Sequence, residues 1–354
     1  MNRLTEIVDP LLGWYREHKR SLPWRDQDNA YYTWVSEIML QQTRVEAVKP
    51  YFLRFMRELP NISALAECPE EKLLKLWEGL GYYNRVRNMQ KAAQSVEELY
   101  GGSLPADYDK LCQLKGIGNY TAGAIASIAY GIPVPAVDGN VLRVIMRITE
   151  DGQDISKQSV RRQVEETLKQ VIPREAPGDF NQSLMELGAV ICVPNGKAKC
   201  EQCPVSEVCL SHRHGTEMEF PKKAAKKPRA VQEKTVLVVQ DDRKVAIRRR
   251  PSKGLLAGLY ELPNLEGWLD QESILSYLRE QGFVPVRILP LGEAKHIFSH
   301  VEWRMRGYQV RVASLEEREW GDWIFVEPQE TAESYAIPSA FDAYARYLKE
   351  ERIK

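Results

Sequence analysis

The stretch from Leu114 to Asn140, LKGIGNYTAGAIASIAYGIPVPAVDGN, constrains the fold of this chain most strongly. Gly116 and Gly118 flank Ile117 ahead of a segment with helical spacing, and glycine allows backbone torsions that other residues disfavour. We therefore predict two helices joined by a hairpin turn, the second of them beginning near Asn119. The amide groups at such a helix start can bind an anion. The alternative is a plain helix C-cap and turn without a ligand.

Two acidic residues of this chain suit complementary chemical roles. Asp138 precedes an apolar helical pattern, so it is a candidate N-cap, and the helix start favours its ionised form. Glu37 lies among large apolar residues in TWVSEIML, and burial there would raise the pKa of its carboxyl group. The alternative for Glu37 is a solvated position on a polar helix face. A protonated acid beside an ionised carboxylate is the pair that glycosidic cleavage uses.

Two segments before the hairpin carry polar and aromatic residues at expected turns. Thr43 followed by Glu46 is a capping-box pattern, which predicts a break at Gln41 and Gln42 and a new helix from Arg44. The other segment, GLGYYNRVRN at 79–88, combines tyrosines and arginines beside a glycine turn. Such a combination suits a surface that inserts into a duplex. Core tyrosines with a solvated arginine face are the alternative.

Four of the six cysteines follow one another closely, with the spacing Cys192-x7-Cys200-x2-Cys203-x5-Cys209. Four thiolates suit either tetrahedral zinc or a four-iron cluster, and the spacing does not decide between them. Two disulfides fit less well, because unpaired thiols are typical of a reducing compartment. We therefore predict a metal centre at 192–209.

Length and composition favour two domains in a protein of the cell interior. The chain has 354 residues, about twice the size of a common domain. It lacks an apolar run of about twenty residues and a signal-peptide core, so we expect a cytoplasmic protein with no membrane partner. The formal charge of zero argues against a nonspecific coat for polyanions but allows a local basic groove.

The periodicity changes along the chain and predicts the domain limits. Residues 1–214 read as successive amphipathic helices, and 215–230 as a basic, proline-punctuated linker. Residues 231–354 contain strand patterns, including two strands joined by an Asp-rich turn at 235–250. The stretch GLLAGLYELPN at 254–264 resembles the start of the Nudix fold. The acidic helix by which Nudix hydrolases bind magnesium is missing, because 265–270 reads LEGWLD.

LKGIGNYTA, VDGN and the four cysteines together resemble the helix-hairpin-helix DNA glycosylases that carry an iron–sulfur cluster. SEIMLQQTRVE and GLGYYNRVRN are similar to the MutY family of adenine glycosylases, and the resemblance covers nearly the whole chain. It implies a multidomain protein with an all-α helix-hairpin-helix glycosylase domain and an α+β Nudix-like recognition domain. The implied cofactor is a [4Fe-4S] cluster on Cys192, Cys200, Cys203 and Cys209.

The resemblance also implies a reaction and its substrate. A monomer would remove adenine mispaired with 8-oxoguanine or guanine in double-stranded DNA, during base excision repair. Glu37 would protonate adenine N7, and Asp138 would stabilise or trap the sugar cation. Tyr120 and Asn140 would form hydrogen bonds around the reacting sugar. Tyr120 stands where related endonucleases carry the lysine of a strand-cleaving lyase, so no lyase step is expected.

The implied DNA-binding residues fall on three parts of the chain. Gln42 and Tyr82 match residues that fill the duplex near the oxidised guanine, and an F-S-H loop at 298–300 matches one that contacts it. The full set of candidates is Gln42, Thr43, Leu80, Tyr82, Lys115, Gly116, Gly118, Phe298, Ser299 and His300.

The sequence departs from the family pattern at two places. The first cysteine interval is one residue longer than usual, and Lys115 replaces a hairpin proline.

Three other functions are also compatible with parts of the sequence. A thymine-mismatch glycosylase can share the tyrosine and aspartate pattern, although Glu37 and the second domain fit it less well. A damage sensor without catalytic activity would bind DNA and release no base. A nucleotide hydrolase is disfavoured by the missing acidic helix.

Overall fold

The computed structural model describes residues 3–27, 29–225, 228–315 and 322–348. The chain forms two compact units. The first comprises Met1–Cys68 and Arg87–Ala225, and the second comprises Pro69–Val86 and Lys226–Lys354. The second unit is thus assembled from two separate stretches of sequence. No helix among the described residues is both long enough and apolar enough to cross a membrane.

Helices form all the regular structure in the described part of the first unit, as the periodicity predicts. Short 3₁₀ helices cover Arg3–Ile7, Cys200–Gln202 and Ser206–Val208. The α-helices of the first unit, together with α5 of the second unit, are α1 (Val8–His18), α2 (Ala30–Leu40), α3 (Val45–Glu58), α4 (Ile62–Glu67), α5 (Glu70–Leu76), α6 (Asn84–Tyr100), α7 (Tyr108–Gln113), α8 (Asn119–Tyr130), α9 (Gly139–Thr149), α10 (Gln158–Lys169), α11 (Pro177–Val190) and α12 (Leu210–His214).

The predicted hairpin is present between α7 and α8. Leu111, Leu114 and Ile117 are buried beneath it, so apolar packing fixes the turn from the inside. Lys115 is exposed at the turn. The prediction of two helices around a short turn is therefore confirmed.

The two hairpin glycines serve different purposes. Gly116 has a φ of +80°, and a Cβ atom there would lie 2.7 Å from the Cβ atom of Asn88. Gly118 has a φ of −95° and a ψ of 179°, which any residue adopts, so the expectation of an unusual torsion is wrong at this position. A Cβ atom on Gly118 would meet nothing within 4 Å, and its absence leaves the first amides of α8 uncovered.

Helix α8 packs against α2 and α11, and α11 also packs against α1 and α9. Small residues let these elements approach closely: a Cβ atom on Gly123 of α8 would lie 2.4 Å from the carbonyl oxygen of Pro135. Pro135 belongs to the extended segment that connects α8 to α9. The packing therefore fixes the path of the chain just before Asp138.

Asn181 of α11 secures the same connecting segment by hydrogen bonds. Its side chain is fully buried. The amide nitrogen donates to Ser127 Oγ at 2.8 Å and to the carbonyl oxygen of Val134 at 2.9 Å. The amide oxygen accepts from Ala136 N at 3.0 Å. One buried side chain thus satisfies backbone groups on both sides of Pro135, which would otherwise lose water without a partner.

The second unit contains a mixed sheet with the strand order β3-β2-β1-β6-β5, in which β4 also pairs with β1 and β7 with β2. β1 runs parallel to β6, whereas β5 and β6 form an antiparallel hairpin. The strands are β1 (Ala230–Gln240), β2 (Val245–Arg249), β3 (Tyr260–Glu261), β4 (Asn264–Glu266), β5 (Pro285–Ile297), β6 (Val301–Val312) and β7 (Trp323–Val326). The α-helices in the C-terminal part of this unit are α13 (Gln271–Glu280), α14 (Pro328–Glu333) and α15 (Asp342–Ala345), and 3₁₀ turns cover Ser339–Phe341 and Arg346–Leu348.

Both faces of the sheet are covered at β1, which explains the unbroken apolar run at 236–239. Val236 and Val238 pack on one face with Phe341 and Tyr344. Leu237 and Val239 pack on the other face with α13. Alternate residues of a strand point to opposite sides, so a strand buried on both faces is apolar throughout. The predicted change from helices to a strand-containing domain is confirmed, and residues 349–354 of the domain predicted at 231–354 lie outside the described residues.

We predict that Asn181→Ala lowers the free energy of unfolding by about 3 kcal/mol. The substitution leaves a buried N–H group and a buried carbonyl group without partners, at about 1–3 kcal/mol each. Urea titration followed by circular dichroism measures the change. Gln170→Ala at an exposed site is the control, and an equal effect of the two substitutions would contradict this role of Asn181.

Candidate active site

Glu37 lies in the buried helix α2, one turn before the helix ends at Leu40. The helix begins at an Asn29 cap, whose side chain accepts from the amides of Tyr31 and Tyr32. Trp34, Val35 and Met39 are fully buried, so the helix is apolar on nearly all sides. Only 6% of the Glu37 surface is exposed. The predicted burial near the last turn is confirmed, and the solvated alternative is wrong.

Burial raises the pKa of Glu37 to about 7. The nearby Asp138 raises this pKa further, while a hydrogen bond from the Tyr120 hydroxyl and the charge of Arg25 lower it. Tyr120 lies in the first turn of α8 and donates that bond to Glu37 Oε2. Burial also raises the pKa of Tyr120 well above its usual value, so its phenol stays neutral. Glu37 is therefore a carboxyl group that holds or releases a proton near neutral pH.

Asp138 caps α9, as the sequence predicts. One carboxylate oxygen accepts from the amide of Val141 at 2.7 Å, and the other accepts from Asn140 Nδ2 at 2.8 Å. Burial nevertheless raises the pKa of Asp138, and these donors and the charge of Arg143 oppose that rise. The sequence predicts that the helix start favours the ionised form of Asp138; the hydrogen bonds act in that direction, but burial outweighs them and raises the pKa.

The donors distinguish the two carboxyl groups. Asp138 accepts hydrogen bonds from a backbone amide and from the Asn140 side chain and lies near a guanidinium group. The donor to Glu37 is the neutral Tyr120 hydroxyl. When two nearby acids compete, the proton resides on the group whose charged form is less well stabilised. The site therefore favours a proton on Glu37 and a negative charge on Asp138.

Sequence reasoning missed Arg143, which connects Asn140 with the cysteine loop. Its Nη2 atom donates to Asn140 Oδ1 at 3.0 Å and to the carbonyl oxygen of Gly188 at 2.7 Å, and its Nε atom donates to the carbonyl oxygen of Cys192 at 2.8 Å. A Cβ atom on Gly188 would lie 2.6 Å from the Cβ atom of Asn140, so glycine makes this contact possible. Arg143 and Arg147 lie four residues apart within the apolar pattern VLRVIMRI, and two buried cations in such a pattern could have indicated a structural role.

The four predicted metal ligands line one pocket together with Arg147 and other residues of α9, α11 and the cysteine loop. All four cysteines are free. Arg147 is buried and donates to Cys192 Sγ at 3.2 Å and to the carbonyl oxygen of Val193 at 3.0 Å. Four convergent sulfur atoms beside a buried cation fit a negatively charged thiolate-bound cluster.

A second potential ligand group overlaps this pocket. Cys200, His212 and Glu217 have ligand atoms within 4.8 Å of one another. Glu217 Oε1 lies 3.0 Å from His212 Nδ1 and 3.4 Å from Cys200 Sγ. The histidine and glutamate thus form a hydrogen-bonded pair beside one of the four sulfur atoms, and neither belongs to the predicted ligand set.

The structure separates the DNA-binding candidates into two groups. Gln42 is exposed with a φ of +62°, and Thr43 is half-buried in the same turn. The capping-box prediction is wrong here: α3 begins at Val45, and its N-cap Arg44 forms no side-chain cap bond. Lys115, Gly116 and Gly118 lie on the exposed side of the hairpin in the same unit.

Tyr82 and Leu80 belong to the second unit, and they differ in exposure. Tyr82 is 49% exposed and has a φ of +47°. Leu80 is buried. Its contact with DNA stays a prediction.

The F-S-H loop connects β5 to β6 in the second unit. Phe298 is half-buried, with its ring 4.9 Å from that of Trp303, and its amide donates to the carbonyl oxygen of Val301. Ser299 and His300 are exposed at the tip. Phe298 thus anchors the turn, and the other two side chains are available to a ligand.

The stretch 265–270, where the sequence lacks the acidic Nudix helix, has a different local structure. Leu265 and Glu266 lie in strand β4, and Asp270 caps α13 through the amide of Ser273. The stretch 265–270 is therefore strand and loop. The role of this domain in recognition stays a prediction.

Two family models match the chain. The model described as "HhH-GPD superfamily base excision DNA repair protein" matches residues 35–170. The model described as "NUDIX domain" matches residues 235–347. These matches confirm the predicted order of a helix-hairpin-helix glycosylase domain and a Nudix-like domain.

Curated relatives and solved structures point to the same class of protein. The adenine DNA glycosylase of Rattus norvegicus is 33% identical over 96% of this chain and 78% of that protein. The human adenine DNA glycosylase is 37% identical over 88% of this chain and 68% of that protein. A thermostable thymine-DNA glycosylase is 27% identical with a TM-score of 0.54, covering 60% of this chain and 97% of that one.

A trapped covalent complex of endonuclease III with DNA is 25% identical with a TM-score of 0.51, covering 61% of this chain and 99% of that one. The similarity thus extends to enzymes seen bound to DNA, over the helical part of the fold. Together with the identity to the curated relatives and the buried acid pair, it establishes the class of enzyme. The chain belongs to the adenine DNA glycosylases and is a DNA glycosylase, a hydrolase of N-glycosyl bonds.

Proposed function

We propose that this protein removes adenine mispaired with 8-oxoguanine or guanine, with Glu37 as the general acid and Asp138 as the group that supports the sugar cation. The observation that supports the proposal most directly is the buried Glu37 carboxyl, whose pKa is raised to about 7, near Asp138, the N-cap of α9. Adenine is a poor leaving group until a ring nitrogen accepts a proton. A carboxylic acid that is still protonated near neutral pH supplies that proton.

Asp138 supports the other half of the reaction. Loss of the protonated base leaves positive charge on the sugar carbon, and a nearby carboxylate stabilises or traps it. The bonds from Val141 N and Asn140 Nδ2 orient the Asp138 carboxyl group. Asn140 is itself held by Arg143, so we assign Asn140 to positioning Asp138 as well as to contact with the sugar.

Tyr120 favours hydrolysis without strand cleavage. A lyase step needs an amine that forms a Schiff base with the sugar. The Tyr120 hydroxyl is neutral, because burial raises its pKa, and it donates to Glu37. Its role here is to orient the Glu37 carboxyl group, which leaves the other carboxyl oxygen for the base.

The exposed hairpin and the buried Glu37 indicate how DNA would bind. The uncovered amides at the start of α8, with exposed Lys115 beside them, suit a DNA phosphate. Gln42 and Thr43 offer polar contacts on another turn of the same unit. Because Glu37 is buried, the adenine must leave the stack to reach it, at a cost of a few kcal/mol.

The second unit supplies candidates for contact with the base opposite adenine. Ser299 and His300 are exposed polar side chains at the tip of a hairpin that Phe298 anchors. Tyr82 presents an exposed ring that suits insertion between bases. We assign the recognition of 8-oxoguanine to these residues.

A [4Fe-4S] cluster fits the pocket formed by Cys192, Cys200, Cys203 and Cys209. When bound, it supplies a cross-link between the loop at 192–209 and the helical core, and it can exchange an electron. Arg147 would donate to the sulfur of Cys192, and the Cys192 carbonyl would continue to hold Arg143.

We predict that single-turnover assays release adenine from duplexes with adenine opposite 8-oxoguanine and, more slowly, opposite guanine. Because no lysine-based step is expected, the strand should break only after treatment with alkali. A duplex with thymine opposite guanine is the comparison substrate. Release of thymine in preference to adenine would favour a thymine-mismatch glycosylase, and binding without release of any base would favour a damage sensor.

We predict that Glu37→Gln slows base release by about 10²–10⁴-fold, the usual contribution of a general acid. In the unchanged protein the rate at saturating enzyme should fall as the pH rises above about 7, because Glu37 then loses its proton. Single-turnover rates from pH 5 to 9 test both expectations. The exposed Glu98→Gln is the control, and normal excision by Glu37→Gln would exclude this acid.

We predict that aerobically purified protein is brown, with a broad visible absorption band and about four iron atoms per chain. Cys203→Ser should lose most of the iron, whereas Cys112→Ser, outside the loop, should retain it. Absorption spectra and iron analysis provide the measurement. A colourless protein that contains zinc would contradict the cluster.

A further inference from the structure

The turn that carries Tyr82 and the F-S-H loop belong to the same compact unit. Pro69–Val86 groups with the C-terminal part of the chain, although it lies within the sequence of the helical unit. The two elements assigned above to the base opposite adenine are therefore joined by the contacts of one unit. The catalytic residues Glu37 and Asp138 lie in the other.

The Tyr82 turn is held in an uncommon conformation. Gly79, Gly81 and Tyr82 have φ values of +95°, +69° and +47°. A positive φ at a residue other than glycine costs of order 1 kcal/mol and persists only where the surroundings impose it. Trp77 Nε1 donates to the carbonyl oxygen of Gly81 at 3.1 Å, and Arg85 donates to those of Leu80 and Gly81.

Glu78, directly before this turn, is bound to the C-terminal part of the unit. Its Oε1 atom accepts from the amide of Ile337 at 2.8 Å, and its Oε2 atom pairs with Lys75 at 2.7 Å. Lys75 Nζ also donates to the carbonyl oxygens of Tyr335 at 3.0 Å and Thr331 at 3.3 Å. Both side chains are half-buried, and their bonds are charge-assisted.

A further bond lies one turn earlier on α5. The Tyr260 hydroxyl, at the start of β3, donates to Glu71 at 3.2 Å. Tyr260 packs edge-on against Tyr335, with ring centroids 4.7 Å apart. The segment 71–78 is therefore attached both to the sheet and to the stretch that follows α14. Its orientation is set by the C-terminal part of the chain and not only by the helices that flank it in sequence.

We propose that Glu78 and Lys75 are positioning residues that couple the Tyr82 turn to the recognition domain, so that preference for the base opposite adenine depends on them. The proposal rests on the proposed function. Glu78 and Lys75 act through the turn, because their polar atoms are engaged with the stretch 331–337. Bond cleavage depends on Glu37 and Asp138, so its rate with the adenine already bound does not depend on these contacts.

The test compares Glu78→Ala, Glu78→Gln and the exposed control Glu98→Ala. Binding is measured with duplexes that hold 2′-fluoro-2′-deoxyadenosine, which resists cleavage, opposite 8-oxoguanine or guanine. The ratio of the two Kd values reports preference. A 2-aminopurine base next to the opposite base reports insertion of the Tyr82 ring, because unstacking changes its fluorescence.

We expect Glu78→Ala to reduce the ratio of Kd values about fivefold, the effect of losing about 1 kcal/mol of coupling. The 2-aminopurine signal should fall with it, while the single-turnover rate at saturating enzyme stays within about twofold. Glu78→Gln keeps an oxygen that accepts from Ile337 N and should retain most of the preference. Glu98→Ala should match the unchanged protein.

An unchanged Kd ratio in Glu78→Ala would overturn the proposal. Equal losses on both duplexes, accompanied by a lower Tm, would also overturn it, because they indicate a purely structural role. If the unchanged protein releases no adenine, the proposed function fails on its own. The Kd ratio and the fluorescence come from uncleaved duplexes and still decide the coupling.

Discussion

The hydrogen bond from Tyr120 to the buried Glu37, near Asp138, is the interaction on which the proposed acid pair depends. Two ionised carboxylates in one apolar site would repel each other at a low effective dielectric. This repulsion is reduced because burial raises the pKa of Glu37 to about 7, so that it can hold a proton near neutral pH, while Asp138 accepts from two amide groups. The dense packing around Gly123 and Asn181 serves this arrangement, since it fixes the chain just before Asp138.

Local signals were sufficient for much of the fold and for the acid pair. The hairpin, the Asp138 cap and the buried Glu37 all follow from residue types within one or two helical turns. The same reasoning failed at Thr43 and Gly118, where the pattern fitted a motif that the backbone does not adopt. A short motif is compatible with several backbone conformations, and the packing around the segment determines which one it adopts.

Long-range contacts were beyond the reach of sequence patterns. In the sequence, Arg143 is one of two arginines on a helix. In the structure it donates to carbonyl groups 45 and 49 positions away. Lys75 binds a carbonyl oxygen 260 positions away, so nothing near it in sequence identifies its partner. In the Nudix-like domain, by contrast, the strands at 235–250 could be predicted from the local sequence alone.

The discontinuous second unit has a consequence for folding during synthesis. Pro69–Val86 leaves the ribosome long before Thr331, Tyr335 and Ile337 exist, so the contacts of Lys75 and Glu78 form only when the chain is nearly complete. Contacts of such large sequence separation form late and slowly. A nascent chain that ends at residue 225 holds Glu37, Asp138 and the cysteine loop but lacks the partners of Lys75 and Glu78. The two carboxyl groups can thus come together before the contacts that hold the segment 71–78 exist.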